Sequence, residues 1–308
     1  MSEVNRRAFL GAAAATAVVP SAVLARPQAA DPLVLFPTAA DHLKAYVKLV
    51  GSTAPEMLYT HYQGVLYGVI ANDVPMPLVR FEALGKARWT PQPDGSYLRK
   101  SHDLGFFGDL RTRQPLDRWH NPYIKEDVRP LHYKNGRGET LYTTTGPRLP
   151  WGKDANASDV GKPFAPDWTV SGDEIWVDDE VFGERESWLS PTKWPRASSG
   201  PRIHIRSTVV SKGLVSELTD LTMSSARCTG MWTGLFPWLP WLHMGQRPGF
   251  LLWRSVGRKI RTPQEASPRI LDFIAQREPR YLIDEEPWLD RKNSWIDYAA
   301  SSDRARAK

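Results

Sequence analysis

Hydrophobic and polar positions alternate with a period of two from about residue 60 to about residue 225. The alternating segments are short, rich in β-branched and aromatic residues, and separated by turn sequences such as Pro93-Asp94-Gly95 and Lys212-Gly213. They read YQGVLYGVIAN, LVRFEALGKARW, SYLRKSH, EDVRPLHY, ETLYTTT, WTVSGDEIWV and RIHIRSTVVSKGLVSELTDL. Since tight turns join strands that run in opposite directions, this pattern predicts an antiparallel sheet.

About eight such strands in one domain must protect their edges, and closing into a barrel does so most completely. We therefore predict a mainly β fold: a calycin-like antiparallel β-barrel, partly open or fully closed. A two-sheet β-sandwich is the alternative. The segment 146–200, rich in Pro, Gly, Ser and Asp, predicts long loops around one hairpin.

Helical periodicity appears at the two ends of the strand region. An N-terminal helix is predicted after Thr38, which can cap it together with Asp41, and it ends at Gly51. His42 lies beside Asp41 and is expected to be solvated. Short C-terminal helices are predicted after Thr262 and Ser267, because each cap is followed by proline at the first helical position.

The first residues have the composition of an export signal. NRRAFLGAAAATAVVPSAVLA contains the pair Arg6-Arg7, a short Ala-rich run broken by Pro20, and a small residue at Ala25. The arginine pair resembles a twin-arginine signal, so the export machinery for that signal is a predicted partner. We predict a signal peptide at 1–25 cleaved after about Ala25, a periplasmic location, a single barrel domain at 26–300 and a solvated tail at 301–308.

Composition excludes several classes of function. The chain carries a formal charge of +6 at a pI near 9.4, but its basic residues are scattered among acidic and apolar ones, so no nucleic-acid partner is predicted. A single cysteine, Cys228, excludes an intramolecular disulfide and a zinc–thiolate cluster. With no nucleotide-binding loop and no metal-ligand spacing, we predict neither a cofactor nor a metal.

An aromatic stretch, WTGLFPWLPWLHMGQRPGFLLW, runs from Trp232 to Trp253. Pro237, Pro240 and Pro248 each remove an amide donor, so a regular membrane-spanning helix and a stable membrane span are excluded. The stretch is predicted to be an ordered, irregular loop that either lines a binding site or plugs a core. If it lines a site, the apolar contacts come from Trp232, Trp238, Trp241 and Met244, and the polar groups come from His243 and Arg247.

Three spaced segments carry a family resemblance: FFGDLRTRQPLDRWHNPY, WLHMGQRPGFLLW and NSWIDY. They are similar to landmarks of a bacterial and fungal family known as domain of unknown function number 1838, over nearly all of the chain after the signal. The sequence departs from that pattern at Ile124-Lys125, where Thr-Gly is expected. The first segment adds Trp119 and Asn121 to the candidate ligand-binding residues, although Asn121-Pro122 also fits an ordinary turn.

Three residues are candidates for acid–base catalysis. His132 shares a strand face with Val128 and Pro130 if EDVRPLHYKN is extended, which suits either a tuned base or a core histidine. His102 precedes Asp103, but neighbours on a strand point to opposite faces. Glu82 lies in an apolar strand, where it could pair with Arg80.

These observations predict an exported protein that binds a bulky aromatic or alicyclic small molecule. Without a cofactor, the chemistry that fits is an acid–base lyase or isomerase reaction. The alternatives are a non-catalytic periplasmic carrier and, third, a carbohydrate-binding protein.

Overall fold

The computed structural model describes residues 31–148, 162–283 and 297–299. Most of them form one antiparallel sheet. Its strands are β1 (Met57–Val69), β2 (Met76–Pro91), β3 (Tyr97–Gly108), β6 (Lys134–Thr143), β7 (Gly146–Arg148), β8 (Trp168–Ser171), β9 (Glu174–Glu186), β10 (Arg202–Leu214), β11 (Thr229–Phe236) and β12 (Phe250–Ile260). A separate small hairpin pairs β4 (Trp119–Asn121) with β5 (Glu126–Val128).

Short helices flank the sheet. They are α1 (Pro32–Leu35), α2 (Ala39–Val50), α3 (Val215–Thr219), α4 (Pro268–Arg277) and α5 (Arg280–Ile283), with 3-10 turns at Pro240–Leu242 and Pro263–Glu265. Among the described residues, no helix is long and apolar enough to cross a membrane.

The sheet is curled into a half-barrel. Its strand order is β7-β6-β3-β2-β1-β12-β11-β10-β9-β8, so seven spacings, or about 33 Å in a flat sheet, separate β6 from β9. Tyr46 of α2 nevertheless contacts both strands. Its hydroxyl donates to Asp179 Oδ2 on β9 at 2.7 Å, and its ring stacks on Tyr142 of β6 at 5.7 Å. Helix α2 therefore lies inside the curl and packs against its inner face.

Aromatic side chains fill the inner face. Phe81 contacts Trp253 and Tyr62 at ring-centre distances of 4.6 and 5.5 Å. Glycine lets neighbouring strands approach here, because a Cβ on Gly64 would overlap the carbonyl oxygen of Arg254. This part of the half-barrel is a packed core and not an open channel.

Within the described residues, helix α4 covers one part of the outer face. On β3, Phe106 packs against Phe273 of α4, whose neighbour Ile270 is fully buried. The residues paired in turn with Phe106 on the neighbouring strands share its face of the sheet. They are Glu82 on β2, Gln63 on β1, Val256 on β12 and Met231 on β11. Val256 and Met231 are each 55% exposed. The outer face of β11 and β12 is thus open to solvent.

The antiparallel half-barrel confirms the mainly β, partly open barrel predicted from the sequence, and the two-sheet sandwich does not form. The helix caps are confirmed as well. Thr38 and Asp41 form a capping box at α2, and Ser267 Oγ accepts from the Ile270 amide at the start of α4. The domain boundaries stay a prediction, since 1–25 and 301–308 lie outside the described residues.

Two local predictions are wrong because tertiary contacts override them. His42 is only 4% exposed, and its Nδ1 accepts a hydrogen bond from the Trp168 indole N–H at 2.9 Å. Burial lowers the pKa of His42, against a smaller raising effect of Asp41. The alternation proposed through His132 also fails, because β5 ends at Val128 and β6 begins only at Lys134.

The predicted irregular loop is shorter than the sequence suggested. Trp232 lies in β11 and Trp253 in β12, so the loop is 237–249, and it contains the 3-10 turn Pro240–Leu242. The end of the segment proposed as the last strand is also different, since Val215–Thr219 is helical.

Candidate functional site

The aromatic loop 237–249 is buried. Trp238, Trp241 and Met244 are between 1% and 3% exposed. Trp241 contacts Phe107 at 5.2 Å and the partly buried Trp119 at 5.9 Å, while the Trp238 indole N–H donates to the Arg247 carbonyl at 3.0 Å. These contacts are those of a core plug.

The polar members of the predicted ligand site hold this loop in place. Asn121 is fully buried, and its Nδ2 donates to the Leu242 carbonyl at 2.7 Å. Arg247 donates to the Tyr123 carbonyl at 3.2 Å. His243 lies 3.2 Å from the Tyr298 hydroxyl through Nε2, and burial lowers its pKa, with Arg196 acting in the same direction.

The eight predicted ligand-binding residues therefore belong to one neighbourhood. Trp232 joins it through Trp253, at a ring-centre distance of 5.2 Å. The structure packs these side chains around each other. Their assignment to ligand binding stays a prediction.

His132 is held as a neutral acceptor. Its Nδ1 accepts from the Phe107 amide at 3.2 Å, and its ring packs edge-on against Phe273 at 4.9 Å. Burial lowers the pKa of His132 to about 4, and Arg277 adds to that effect. A histidine with this pKa is a weak base, so the contacts favour a structural role.

His102 lies on the outer face of β3 under helix α5. Its ring is 5.2 Å from that of Tyr281, and the Tyr281 hydroxyl donates to the His102 carbonyl at 2.8 Å. Asp103 pairs with Gly85 on the inner face, so it does not orient His102, as strand alternation predicted.

Glu82 is held by three side-chain hydrogen bonds. It is 4% exposed and accepts hydrogen bonds from His61 Nε2 at 2.9 Å, from Arg269 Nε at 2.9 Å and from the Ser267 hydroxyl. Burial acts to raise the pKa of Glu82, but hydrogen bonds from His61, Ser267 and Arg269 together lower it to about 2. The suggested pairing with Arg80 is wrong, because Arg80 Nε donates to the Leu110 carbonyl.

A surface cavity lies elsewhere, on the exposed outer face. It is an open groove of about 640 Å³ over β9, β10, β11, β12 and β1. None of the residues proposed from the sequence lines it. Of the catalytic candidates, Glu82 reaches the groove indirectly, through its hydrogen bond to the lining residue His61.

Strand register arranges the floor of the groove in two rows. One row is polar and aromatic: it consists of Trp176, Lys212, Thr229, Arg258 and His61, each directly opposite the next. The second row is mainly apolar and consists of Val210, Met231, Val256 and Gln63. An apolar strip thus runs beside a strip that carries cations and an imidazole.

The two cations differ in how they are neutralised. Lys212 Nζ lies 2.7 Å from Glu174 Oε1 at the rim, an exposed pair. Arg258 donates to the backbone carbonyl of Glu265 at 2.9 Å and forms no ion pair within the described part of the chain. The pKa of the Glu265 carboxyl group is lowered by the hydrogen bond from the Thr262 amide and, to a smaller extent, by the Arg258 charge. This carboxylate forms no ion pair with Arg258, so the guanidinium retains capacity to bind an anion.

Comparison with known families places most of the chain within a family model. The family model described as protein of unknown function, DUF1838, matches residues 55–301 of the 308. The chain belongs to the DUF1838 family. This confirms the resemblance carried by the three sequence segments. Comparison with curated proteins finds no significant match.

In this DUF1838 chain, sequence reasoning missed His61. The residue stands in an alternating strand with no motif around it, and its partner Glu82 is 21 positions away. The available signal was the period-two pattern, which predicts that His61 and Gln63 share a face of β1. Which strand pairs with β1 depends on the sheet topology. That Glu82 lies diagonal to His61 depends on the register of β1 and β2.

Within 31–148, 162–283 and 297–299, no group of three or more His, Cys, Asp or Glu side chains is placed to hold an ion. The side chains of the groove itself include one imidazole, two cations, the Glu174 carboxylate and an apolar strip.

Proposed function

We propose that the protein binds a small amphipathic molecule in the outer-face groove, one that joins an apolar or aromatic body to a negatively charged group. The observation that carries the proposal is the position of Met231 and Val256. Each is 55% exposed, and the two pair directly across β11 and β12 on the groove floor. Large apolar side chains exposed together in a concave site with a few polar groups are typical of ligand-binding sites.

The negative charge of the ligand is inferred from the polar row. Arg258 forms no ion pair in the described residues, and the exposed Thr229 lies directly opposite it. A guanidinium beside a hydroxyl can bind a carboxylate or sulfonate by two or three hydrogen bonds, and charge-assisted bonds are the stronger class. The apolar body of the ligand then lies over the second row.

The aromatic loop is a less suitable site. Trp241 is 1% exposed and makes its contacts with other core rings, so a ligand there would have to displace packed side chains. The groove needs no such rearrangement. This contrast supports binding on the outer face for the bulky aromatic or alicyclic ligand expected from the sequence.

Two fluorescent probes with one aromatic skeleton test the site: the anion 1-anilinonaphthalene-8-sulfonate and neutral N-phenyl-1-naphthylamine. Met231→Glu should weaken binding of both by about tenfold, because it puts a charge on the apolar strip (about 1.4 kcal/mol). Leu235→Glu is the matched control. It lies four residues along the same strand face, roughly 13 Å away and beyond a Debye length of about 8 Å at 0.15 M salt.

A second comparison isolates the charge. Arg258→Gln should weaken binding of the anionic probe several-fold and change binding of the neutral probe by less than about twofold. Thermal melts check that this variant and Met231→Glu are folded. Equal effects of Met231→Glu and Leu235→Glu, or no effect of either, would overturn the proposed site. An equal loss of both probes in Arg258→Gln would overturn the anionic part alone.

We also propose that the chain is exported to the periplasm by the twin-arginine route, since Arg6-Arg7 precedes a weakly apolar run. Residues 1–25 lie outside the described residues, so this rests on the sequence. Replacing both Arg6 and Arg7 by Lys should retain the precursor in the cytoplasm, because the receptor reads the pair and not its charge alone. Arg26→Lys, beyond the expected cleavage site, is the control. Normal export of the double variant would contradict the proposal.

A further inference from the structure

His61 and Glu82 form a hydrogen-bonded pair at one end of the groove. The Nε2 to Oε1 distance is 2.9 Å, and the two side chains are 12% and 5% exposed. His61 lines the groove, whereas Glu82 lies beneath it. A nearly buried carboxylate therefore contacts the far side of an imidazole that a bound ligand could reach.

The state of Glu82 decides which ring nitrogen of His61 carries the proton. Because the pKa of Glu82 is held at about 2, it is a carboxylate at neutral pH and can only accept. The Nε2 atom of His61 must then donate, and in the neutral ring Nδ1 is the unprotonated nitrogen. Within the described part of the chain, Nδ1 makes no hydrogen bond.

Charged groups from three elements surround His61. Glu82 on β2 hydrogen-bonds its Nε2, and Arg258 lies directly opposite on β12. Arg269 on α4 binds the other oxygen of Glu82. Lys86 lies diagonally across on β2, but its ammonium is turned to the Tyr281 carbonyl at 2.9 Å. A carboxylate in direct contact is the closest of these charges to the ring.

We propose that His61 is the proton acceptor of the groove, with Glu82 as its positioning residue, and that the substrate is an amphipathic anion whose acidic C–H lies beside His61 while its anionic group lies at Arg258. This rests on the proposed binding function. In the step, Nδ1 bonds to the proton as the C–H bond breaks. The electron pair stays on the substrate, in an adjacent electron-withdrawing group, and Glu82 stabilises the imidazolium. No oxidant or reductant is required, and this is the first step of cofactor-free isomerases and lyases.

A purely structural role is the competing explanation of the same contacts. Glu82 ties β2 to Ser267, the N-cap of α4, and to Arg269 in its first turn, so its loss should destabilise the fold whether or not His61 is a base. A loss of stability in a Glu82 variant therefore does not distinguish the structural role from the positioning role. Turnover and its pH dependence distinguish the two roles.

The probe for turnover is 5-nitrobenzisoxazole, a compact aromatic compound whose C3–H is removed by a general base. The electron pair of the C–H bond then forms the third carbon–nitrogen bond of the nitrile. The N–O bond breaks, and its electrons stay on the oxygen of the nitrophenolate product, which absorbs visible light. The full-length protein should catalyse this elimination, with a rate that rises with pH and then reaches a plateau. His61→Gln should lower the rate by about a hundredfold, the scale of general-base catalysis.

His120→Gln is the matched control. His120 also hydrogen-bonds a carboxylate, Asp127 at 3.0 Å, but the pair is more than half exposed and lies outside the groove. This variant should retain the rate. Glu82→Gln should move the midpoint of the pH–rate profile to lower pH, because removing the carboxylate destabilises the imidazolium. A structural role alone would change the amount of folded protein and leave that midpoint in place.

Binding is followed separately, by displacement of N-phenyl-1-naphthylamine. If 5-nitrobenzisoxazole displaces that probe but is not turned over, or if His61→Gln turns it over as fast as the parent, the proton-acceptor proposal is overturned and the binding function stands. If nothing is displaced and Met231→Glu has no effect, the binding function fails and the proposal fails with it.

Discussion

The hydroxyl of Tyr46 donates to Asp179 Oδ2 at 2.7 Å across the inside of the half-barrel. Tyr46 comes from the N-terminal helix, and Asp179 lies in the next-to-last strand of the sheet order, 133 positions away. The Tyr46 ring also stacks on Tyr142 from the opposite flank. A single helix residue thus connects the two sides of the curled sheet.

Removing that hydroxyl should destabilise the protein. We expect Tyr46→Phe to cost about 1–3 kcal/mol of unfolding free energy, because the mostly buried carboxylate loses its donor. Urea denaturation measures this. Tyr97→Phe is the control: Tyr97 also faces the interior and has no hydroxyl partner in the described residues, so it should cost less than about 0.5 kcal/mol. Equal losses in the two variants would contradict the role of the contact.

Asp179 should make stability depend on pH. Burial raises the pKa of Asp179, opposed by the Tyr46 hydrogen bond and assisted by Asp178. The folded state then binds the Asp179 proton more tightly than the unfolded state does. The contribution of this group to stability is therefore fully present below the pKa of the unfolded state, and it is lost as the pH rises through the pKa of the folded state. Asp179→Asn should therefore stabilise the protein at pH 7, with a gain that shrinks towards pH 4.

Asp167→Asn is the control for that pH dependence, since Asp167 is exposed and lies outside the strands of the sheet. Thermal melts of both variants are compared at pH 4 and pH 7. A gain for Asp179→Asn that is the same at pH 4 and pH 7, or a matching gain for Asp167→Asn, would show that the Asp179 carboxyl group is not its source.

Trp241 should behave as a core residue. At 1% exposure and in contact with Phe107 and Trp119, its replacement by Ala should cost about 3–5 kcal/mol, as truncations of large aromatic residues in packed interiors do. Trp188→Ala, at 37% exposure, should cost about 1 kcal/mol or less. Chemical denaturation compares them. Near-normal stability of Trp241→Ala with lost probe binding would instead support the ligand wall suggested by the sequence.

Lys125 in the small hairpin has a φ of +58°, a conformation that favours glycine. It stands where the family pattern is expected to have Gly. Relief of this left-handed strain should let Lys125→Gly stabilise the fold by about 0.5–1 kcal/mol, measured by thermal unfolding. Lys125→Ala retains a Cβ and should change little. If the Ala variant gains as much as the Gly variant, removal of the lysine side chain and not backbone relief is responsible.

The sequence by itself determined the antiparallel strands and the helix ends. Period-two alternation, turn residues and caps such as Thr38 and Ser267 act between residues only a few positions apart. Their physical cause is local, so a single sequence reveals it. The failures at Val215–Thr219 and at Trp232 show the limit of local signals, since a helical turn or an added strand depends on what packs beside it.

Tertiary structure decided the candidate site. His61 meets Glu82 because β1 and β2 pair in one particular register, and Glu82 meets Arg269 because α4 packs on the outer face, 187 positions along the chain. A shift of one residue in that register would place His61 on the inner face. His42, expected in solvent, is buried by Trp168, which is 126 positions away. Burial, and with it charge state and access to ligand, depends on these distant contacts, which no local pattern encodes.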